Sequence, residues 1–153
     1  MISAITPTYN CSEFIRRSYN ALCSQTFTDW EWIVVNDGST DNTDEIFSEI
    51  ILNDSRVKYL TNKKNKGRGF ARNFAVNQCK GSIIAIWDVD DLYTPDRFAE
   101  INQVLSNSED FFYFCSHALI VDNEKNFKGA RHCSNNSKGI TPNFVHPTLA
   151  FKN

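Results

Sequence analysis

The chain has 153 residues, 16 Lys+Arg against 18 Asp+Glu, a formal net charge of −2 and 41% hydrophobic residues. That length suits one α/β domain or part of a larger one, and the composition excludes disorder, collagen and a disulfide scaffold. The longest apolar stretch, residues 111–121, is interrupted by Ser116 and His117 and falls short of the roughly 18–20 residues that span a bilayer.

Ile2-Ser-Ala-Ile-Thr is apolar and β-prone and ends at Pro7. Asn10 with Glu13 three residues on has the form of a capping box. Behind it Ile15, Tyr19 and Leu22 repeat at helical spacing, which predicts a helix over residues 11–25. Trp32-Ile-Val-Val is a continuous apolar run, the pattern of a strand buried on both faces of a parallel sheet. Asn36-Asp-Gly-Ser stops it, and a second helix follows from about Thr40 with Ile46, Phe47, Ile50 and Ile51 on one face. Residues 57–60 read as a third strand. Phe70, Ala71, Phe74 and Ala75 build a third helix to about Cys79, and Gly81 breaks it before the fourth strand, Ile83-Ile-Ala-Ile-Trp. Thr94-Pro95 is an N-cap followed by Pro at the first helical position, and Phe98, Ile101 and Leu105 give that helix its stripe. Strand and helix thus alternate four times, which predicts an open, mostly parallel α/β sheet with flanking helices, Rossmann-like in outline. Beyond Asn107 come apolar runs at 111–115 and 118–121, then a polar loop to Lys138. The apolar segment 148–151 reads as a strand without a neighbour, an edge through which copies would self-associate into a homo-oligomer. The chain reads as incomplete.

The five cysteines (Cys11, Cys23, Cys79, Cys115, Cys133) contain no C-x-x-C pair, so buried thiols in a reducing compartment are expected. His117, His132 and His146 have no metal-ligand spacing and read as structural. The N-terminus lacks a signal-peptide layout, so a cytoplasmic chain is expected, peripheral at the inner face of a membrane if other segments attach it. Charge is segregated. Residues 55–87 contain no acid and eight of the 16 basic residues: Arg56, Lys58, Lys63, Lys64, Lys66, Arg68, Arg72 and Lys80. With the whole chain slightly acidic, a local anion such as a phosphate fits better than nucleic acid.

Ligands of open α/β sheets bind outside the carboxyl ends of the strands. Four loops lie there: 6–10, 36–41, 62–69 and 88–91. Thr6-Pro-Thr-Tyr-Asn has no glycine, which argues against a dinucleotide-binding turn, and Gly67-Arg-Gly-Phe is not a Walker A loop. Asp88-Val-Asp-Asp ends a buried strand, where isolated carboxylates are costly unless they face water or a cation. Asp88 and Asp90, at i and i+2, make an incomplete site for a hard cation that would take its remaining oxygens from a phosphate. Without a ligand, the same aspartates simply cap a turn. Asp37 is either a turn residue or an acceptor for a base N–H or ribose hydroxyl. Tyr9 offers a flat face for a base or is packing. Lys63, Lys64, Lys66 and Arg68 lie where a diphosphate would pass or are plain surface.

Five segments in order, Ile5-Thr-Pro-Thr-Tyr-Asn, Ser24-Gln-Thr-Phe, Val34-Val-Asn-Asp-Gly-Ser-Thr-Asp, Asn65-Lys-Gly-Arg-Gly-Phe-Ala-Arg-Asn and Ile86-Trp-Asp-Val-Asp-Asp-Leu-Tyr-Thr-Pro-Asp-Arg-Phe, resemble the N-terminal half of the family 2 glycosyltransferases. These are inverting nucleotide-sugar enzymes of the GT-A fold. The resemblance covers residues 2–105, with a weaker likeness at His146-Pro-Thr. It implies a nucleotide-binding part over residues 1–106 and the start of an acceptor-side part over 107–153. It further implies that Thr6, Pro7 and Tyr9 border the nucleobase and that Asp37 contacts the base edge. Lys66 and Arg68 would lie along the diphosphate, Asp88 and Val89 at the ribose, and Asp88 and Asp90 on Mg²⁺ or Mn²⁺. Arg72 and Asn73 would support the site from the helix, and Asn36 stands where the family usually has Asp. The implied partners are a nucleoside-diphosphate sugar, UDP-sugars first, and a sugar, lipid-linked glycan or polysaccharide acceptor. No carboxylate after Asp91 (Asp96, Glu100, Glu109, Asp110, Asp122, Glu124) matches the family's general base, so the catalytic residue is unassigned. Alternative readings are a non-catalytic nucleotide-sugar-binding module or truncated remnant and, behind these, a nucleotidyltransferase, whose Gly-rich first loop is absent here.

Overall fold

The structure, a computed structural model, describes residues 1–106, 113–114, 118–122, 124–131 and 150–152. The strands are apolar on both faces, so each must be covered by helices on both sides. In β1 (Ile2–Thr8), Ile2 and Ala4 point into one core layer and Ile5 into the other. β2 (Trp30–Asn36) repeats the alternation, with Trp32 and Val34 on the first side and Ile33 and Val35 on the second. α1 (Ser12–Cys23) and α2 (Thr43–Asn53) cover the first side through Ile15, Leu22, Phe47 and Ile50. β3 (Val57–Thr61) is shorter and only partly buried, as expected for an outer strand.

Among the described residues α3 (Arg68–Val76) is the helix that closes the second side, and the small Ala71 and Ala75 allow it to lie close against Ile5, Ile33 and Val35. β4 (Ile83–Ile86) is followed by α4 (Arg97–Ser106), whose Phe98, Ile101 and Leu105 return to the first side. Then come β5 (Tyr113–Phe114), β6 (Ala118–Val121), β7 (Phe127–Arg131) and β8 (Ala150–Lys152). The main sheet has the order β3-β2-β1-β4-β8-β5, parallel across the first four strands, with β8 antiparallel to both β4 and β5; β6 and β7 form a separate hairpin.

Several local expectations are corrected. Asn10 does not cap α1: its φ is 51°, its Oδ1 accepts from Thr40 N at 2.8 Å, and the cap position is Cys11 without a side-chain bond. α4 starts at Arg97, two residues after Pro95, with a turn closed by Arg97 N donating to Thr94 O. Ile51 and Phe70 are 41% and 45% exposed and therefore lie off the buried stripes. Segment 148–151 was expected to leave an edge, yet its described end lies in β8 between two partners, so that edge is absent. Cys23 is exposed rather than buried, while burial pushes the half-buried Cys79 thiol up to about 11. Cys115, Cys133, the three histidines and the His146-Pro-Thr likeness lie outside the described residues. No helix among the described residues is long and apolar enough to cross a membrane.

Candidate nucleotide site at the strand ends

Parallel pairing in register brings the four strand ends to one edge. Thr8 stands opposite Asn36, Asn36 opposite Thr61, and Ile5 opposite Ile86. The four loops singled out in the sequence follow directly from these ends.

In the first loop the named residues separate. Thr6 is fully buried; Trp32 Nε1 donates to its hydroxyl at 2.7 Å, and that hydroxyl donates to Trp87 O. Its side chain is a tie between strands, with no face left for a base. Pro7 is half-buried, and Tyr9, at 47% exposed, is the ring of this loop that is open for stacking.

The second and third loops are fastened together. Asp37, only 3% exposed, accepts from Asn62 Nδ2 at 2.8 Å and Gly67 N at 2.7 Å. Lys66 N is shared between its two oxygens at 3.0 and 2.9 Å. Lys63, Lys64, Lys66 and Arg68 are exposed on the same loop, and Lys66 Nζ lies 4.4 Å over the Phe70 ring. α3 begins at Arg68 without a side-chain cap, so the positive end of its dipole adds to these charges.

In the fourth loop the strand alternation continues past β4. Trp87 and Val89 point into the first core layer, Val89 being 2% exposed. Asp88 faces α3, where Arg72 Nη2 donates to its two oxygens at 2.9 and 3.1 Å. Asp90 is exposed. Burial, then the charges of Asp90 and Asp88, push the Asp91 carboxyl up to about 6. Among the described residues, no three His, Cys, Asp or Glu side chains gather into a metal cluster. Asp88 and Asp90 nevertheless supply hard oxygen donors at the end of β4, with Arg72 of α3 against Asp88, and such donors suit a divalent ion that also takes phosphate oxygens.

Sequence reasoning missed two supports of this loop and one of the segment that follows it. Arg17 of α1 donates to Asp90 O at 2.8 Å. Tyr93 OH accepts from Asp88 N at 2.8 Å while its ring stacks on Trp87, with centroids 3.8 Å apart. Gln25 donates to Thr94 O at 2.8 Å and accepts from Phe98 N at 3.0 Å, tying the end of α1 to the start of α4. Gln25 and Tyr93 carried a signal, as parts of Ser24-Gln-Thr-Phe and of the segment that starts at Ile86; Arg17 carried none. Two clefts lie elsewhere: one of about 280 Å³ between Arg16, Tyr19 and Glu49, the other of about 420 Å³ by Trp30, Arg56 and Lys80. Neither includes a residue of the four loops. Strand-end geometry, rather than either of these two clefts, brings the candidate loops together.

The family model of glycosyl transferase family 2 matches residues 3–149. Over 114 residues the chain is 37% identical to the UDP-Glc:alpha-D-GlcNAc-diphosphoundecaprenol beta-1,3-glucosyltransferase WfgD of Escherichia coli, covering 74% of this chain and 44% of that one. Mannosyltransferase PcManGT from Pyrobaculum calidifontis, solved with GDP-Man and Mn²⁺, superposes with a TM-score of 0.70 at 22% identity, over 75% of this chain and 34% of that one. S. aureus TarS 1-349 in complex with UDP-GlcNAc gives a TM-score of 0.65 at 24% identity, over 99% and 45%. The chain therefore spans less than half the length of each of these three.

Proposed function

Because the chain belongs to glycosyl transferase family 2, we propose that its four strand-end loops bind a nucleoside-diphosphate sugar for transfer, with inversion, to an acceptor hydroxyl. The observation that carries this reading is the convergence of an open aromatic face at Tyr9, a basic loop with an uncapped helix start, and Asp88 and Asp90 at one sheet edge. In this reading Tyr9 stacks on the base, and Lys66, Arg68 and the start of α3 attract the diphosphate. Asp88 and Asp90 would hold Mg²⁺ or Mn²⁺, which supplies Lewis acidity for the leaving diphosphate. Arg72 keeps the Asp88 carboxylate in place from α3. Val89 anchors the loop by burial, and Thr6 anchors β1 beneath Pro7 and Tyr9. The UDP-Glc of WfgD and the UDP-GlcNAc bound by TarS support a UDP-sugar, and the diphosphoundecaprenol acceptor of WfgD supports a lipid-linked glycan acceptor at a membrane face.

Calorimetry of UDP, GDP and CDP with Mn²⁺ and with EDTA tests the reading. Binding of one diphosphate that is strong in Mn²⁺, weak in EDTA, and insensitive to Mn²⁺ in Asp90→Asn is expected. Equal affinity in Mn²⁺ and EDTA would remove the metal role, and no binding of any nucleotide would remove the site.

A further inference from the structure

We propose that Asn10 is a positioning residue for base binding: through a clasp with Ser39 and Thr40 it holds the Tyr9 ring in the orientation on which a nucleobase stacks. The clasp is a property of the two loops; its use rests on the reading above that Tyr9 takes the base. Asn10 has φ 51°, in the left-handed region that few side chains other than Asn and Asp adopt readily. In that conformation both its backbone and its side chain reach the loop between β2 and α2. Its N–H donates to Ser39 Oγ at 3.0 Å, and its Oδ1 accepts from Thr40 N at 2.8 Å.

Tyr9 is thereby fixed from both sides. Before it, Thr8 stands opposite Asn36 in the sheet, and Thr8 O accepts from Asp37 N at 2.9 Å. After it come the Asn10 clasp and Ser12 N, which donates to Asp41 Oδ2 at 2.9 Å. Ser39 is itself held, its N–H donating to Asn36 Oδ1 at 2.8 Å, so the clasp rests on the buried end of β2. The two clasp bonds are exposed, and breaking them leaves no buried group unmet. What they supply is order. A ring whose backbone is already fixed meets a base without the entropy cost of fixing it on binding. Lys66, Arg68 and the start of α3 lie on a different loop, so the clasp should bear on the base and spare the diphosphate.

Calorimetry of UDP and of pyrophosphate, both with Mn²⁺, tests the clasp. Asn10→Gly keeps the left-handed backbone accessible and removes the Oδ1 acceptor. It should weaken UDP about tenfold and leave pyrophosphate unchanged. Asn10→Asp keeps an acceptor and tolerates the same φ, so it should restore UDP affinity. Tyr9→Ala should itself weaken UDP, and adding Asn10→Gly to it should cost nothing more. Additive losses in that double variant, or an equal loss of pyrophosphate in Asn10→Gly, would overturn the proposal and leave the nucleotide reading standing. UDP affinity unchanged in Tyr9→Ala would overturn the stacking and this use of the clasp with it. A wild-type chain that binds neither ligand would overturn the nucleotide reading as a whole, and the proposal with it. If Asn10→Gly does not fold, Ser39→Ala decides: it removes the acceptor of Asn10 N and leaves residue 10 intact. A loss of about threefold for UDP alone supports the clasp; no loss, or a loss shared with pyrophosphate, overturns it.

Discussion

Asn36 stands where the resembled family usually has Asp, and its surroundings supply a reason. It is 2% exposed, and its Nδ2 donates to Asp44 Oδ1 at 2.9 Å and to Tyr59 OH at 2.8 Å, while its Oδ1 accepts from Ser39 N at 2.8 Å. Tyr59 OH also donates to Asp44, and burial together with that bond raises the phenol above its ordinary pKa. A carboxylate at position 36 would face the carboxylate of Asp44 with nothing to donate. Asn36→Asp is therefore expected to destabilise the fold by about 1–3 kcal/mol in urea denaturation, with Asn36→Asp/Asp44→Asn recovering most of it. A double variant no better than the single one would show that pairing with Asp44 is not the cause. Thr6 belongs to the same scale. Thr6→Val leaves Trp32 Nε1 and Trp87 O without their shared partner and should cost roughly 1–3 kcal/mol. Unchanged stability would return its hydroxyl to the candidate ligand contacts.

One carboxylate serves the starts of two helices. Asp41 Oδ2 accepts from Ser12 N of α1 at 2.9 Å, and Oδ1 accepts from Thr43 N and Oγ1 of α2 at 3.2 and 2.6 Å. Burial pulls its pKa up, but the bonds from Thr43 and Ser12 outweigh it and leave the acid below its usual range. The local Asn10–Glu13 pattern looked like a cap because a capping box is read at i, i+3. The actual cap comes from 29 residues away, which no local spacing reveals. Asp41→Ala should cost about 1–2 kcal/mol for each helix start it serves, read as a lower urea midpoint. The far end of α2 gives a pH test. Asp54 follows the helix, and the Arg56 guanidinium holds it down from 3.8 to about 2 against the opposing effect of burial. A folded pKa below the unfolded one adds stability at pH above about 4, which is lost as pH falls toward 2. Wild type should thus exceed Asp54→Asn by about 2 kcal/mol at pH 7, and the gap should close near pH 2. A gap unchanged at pH 2.5 would assign the effect to packing.

At the scale of the whole molecule, the β/α alternation was legible because each element carries its own period, and the four candidate loops were legible as neighbours because parallel strands all end at one edge. What each residue does there was not legible. Thr6 and Tyr9 sit three residues apart in one motif, yet strand alternation and depth bury the first and expose the second. The place of the last strand was equally hidden, because pairing between distant segments leaves no local mark. β8 is inserted antiparallel between β4 and β5: Ile83 stands opposite Lys152, Ile84 opposite Phe151, and Ala85 opposite Ala150, which is fully buried. β4 is the strand that delivers Asp88 and Asp90, so a segment more than sixty positions later in the chain braces the carboxylate loop. Removing residues 150–153 takes away a ladder on each side and the half-buried Phe151, a loss of roughly 2–4 kcal/mol. It also opens the β4 edge, where unpaired N–H and C=O groups would recruit a strand from another copy. The shortened chain is expected to unfold at lower urea, to form dimers or larger species on size-exclusion chromatography, and to bind Mn²⁺-dependent nucleotide more weakly than the full chain. A shortened chain that stays monomeric at the same urea midpoint would show that β8 braces nothing, and that β4 holds its loop through β1 and the core alone.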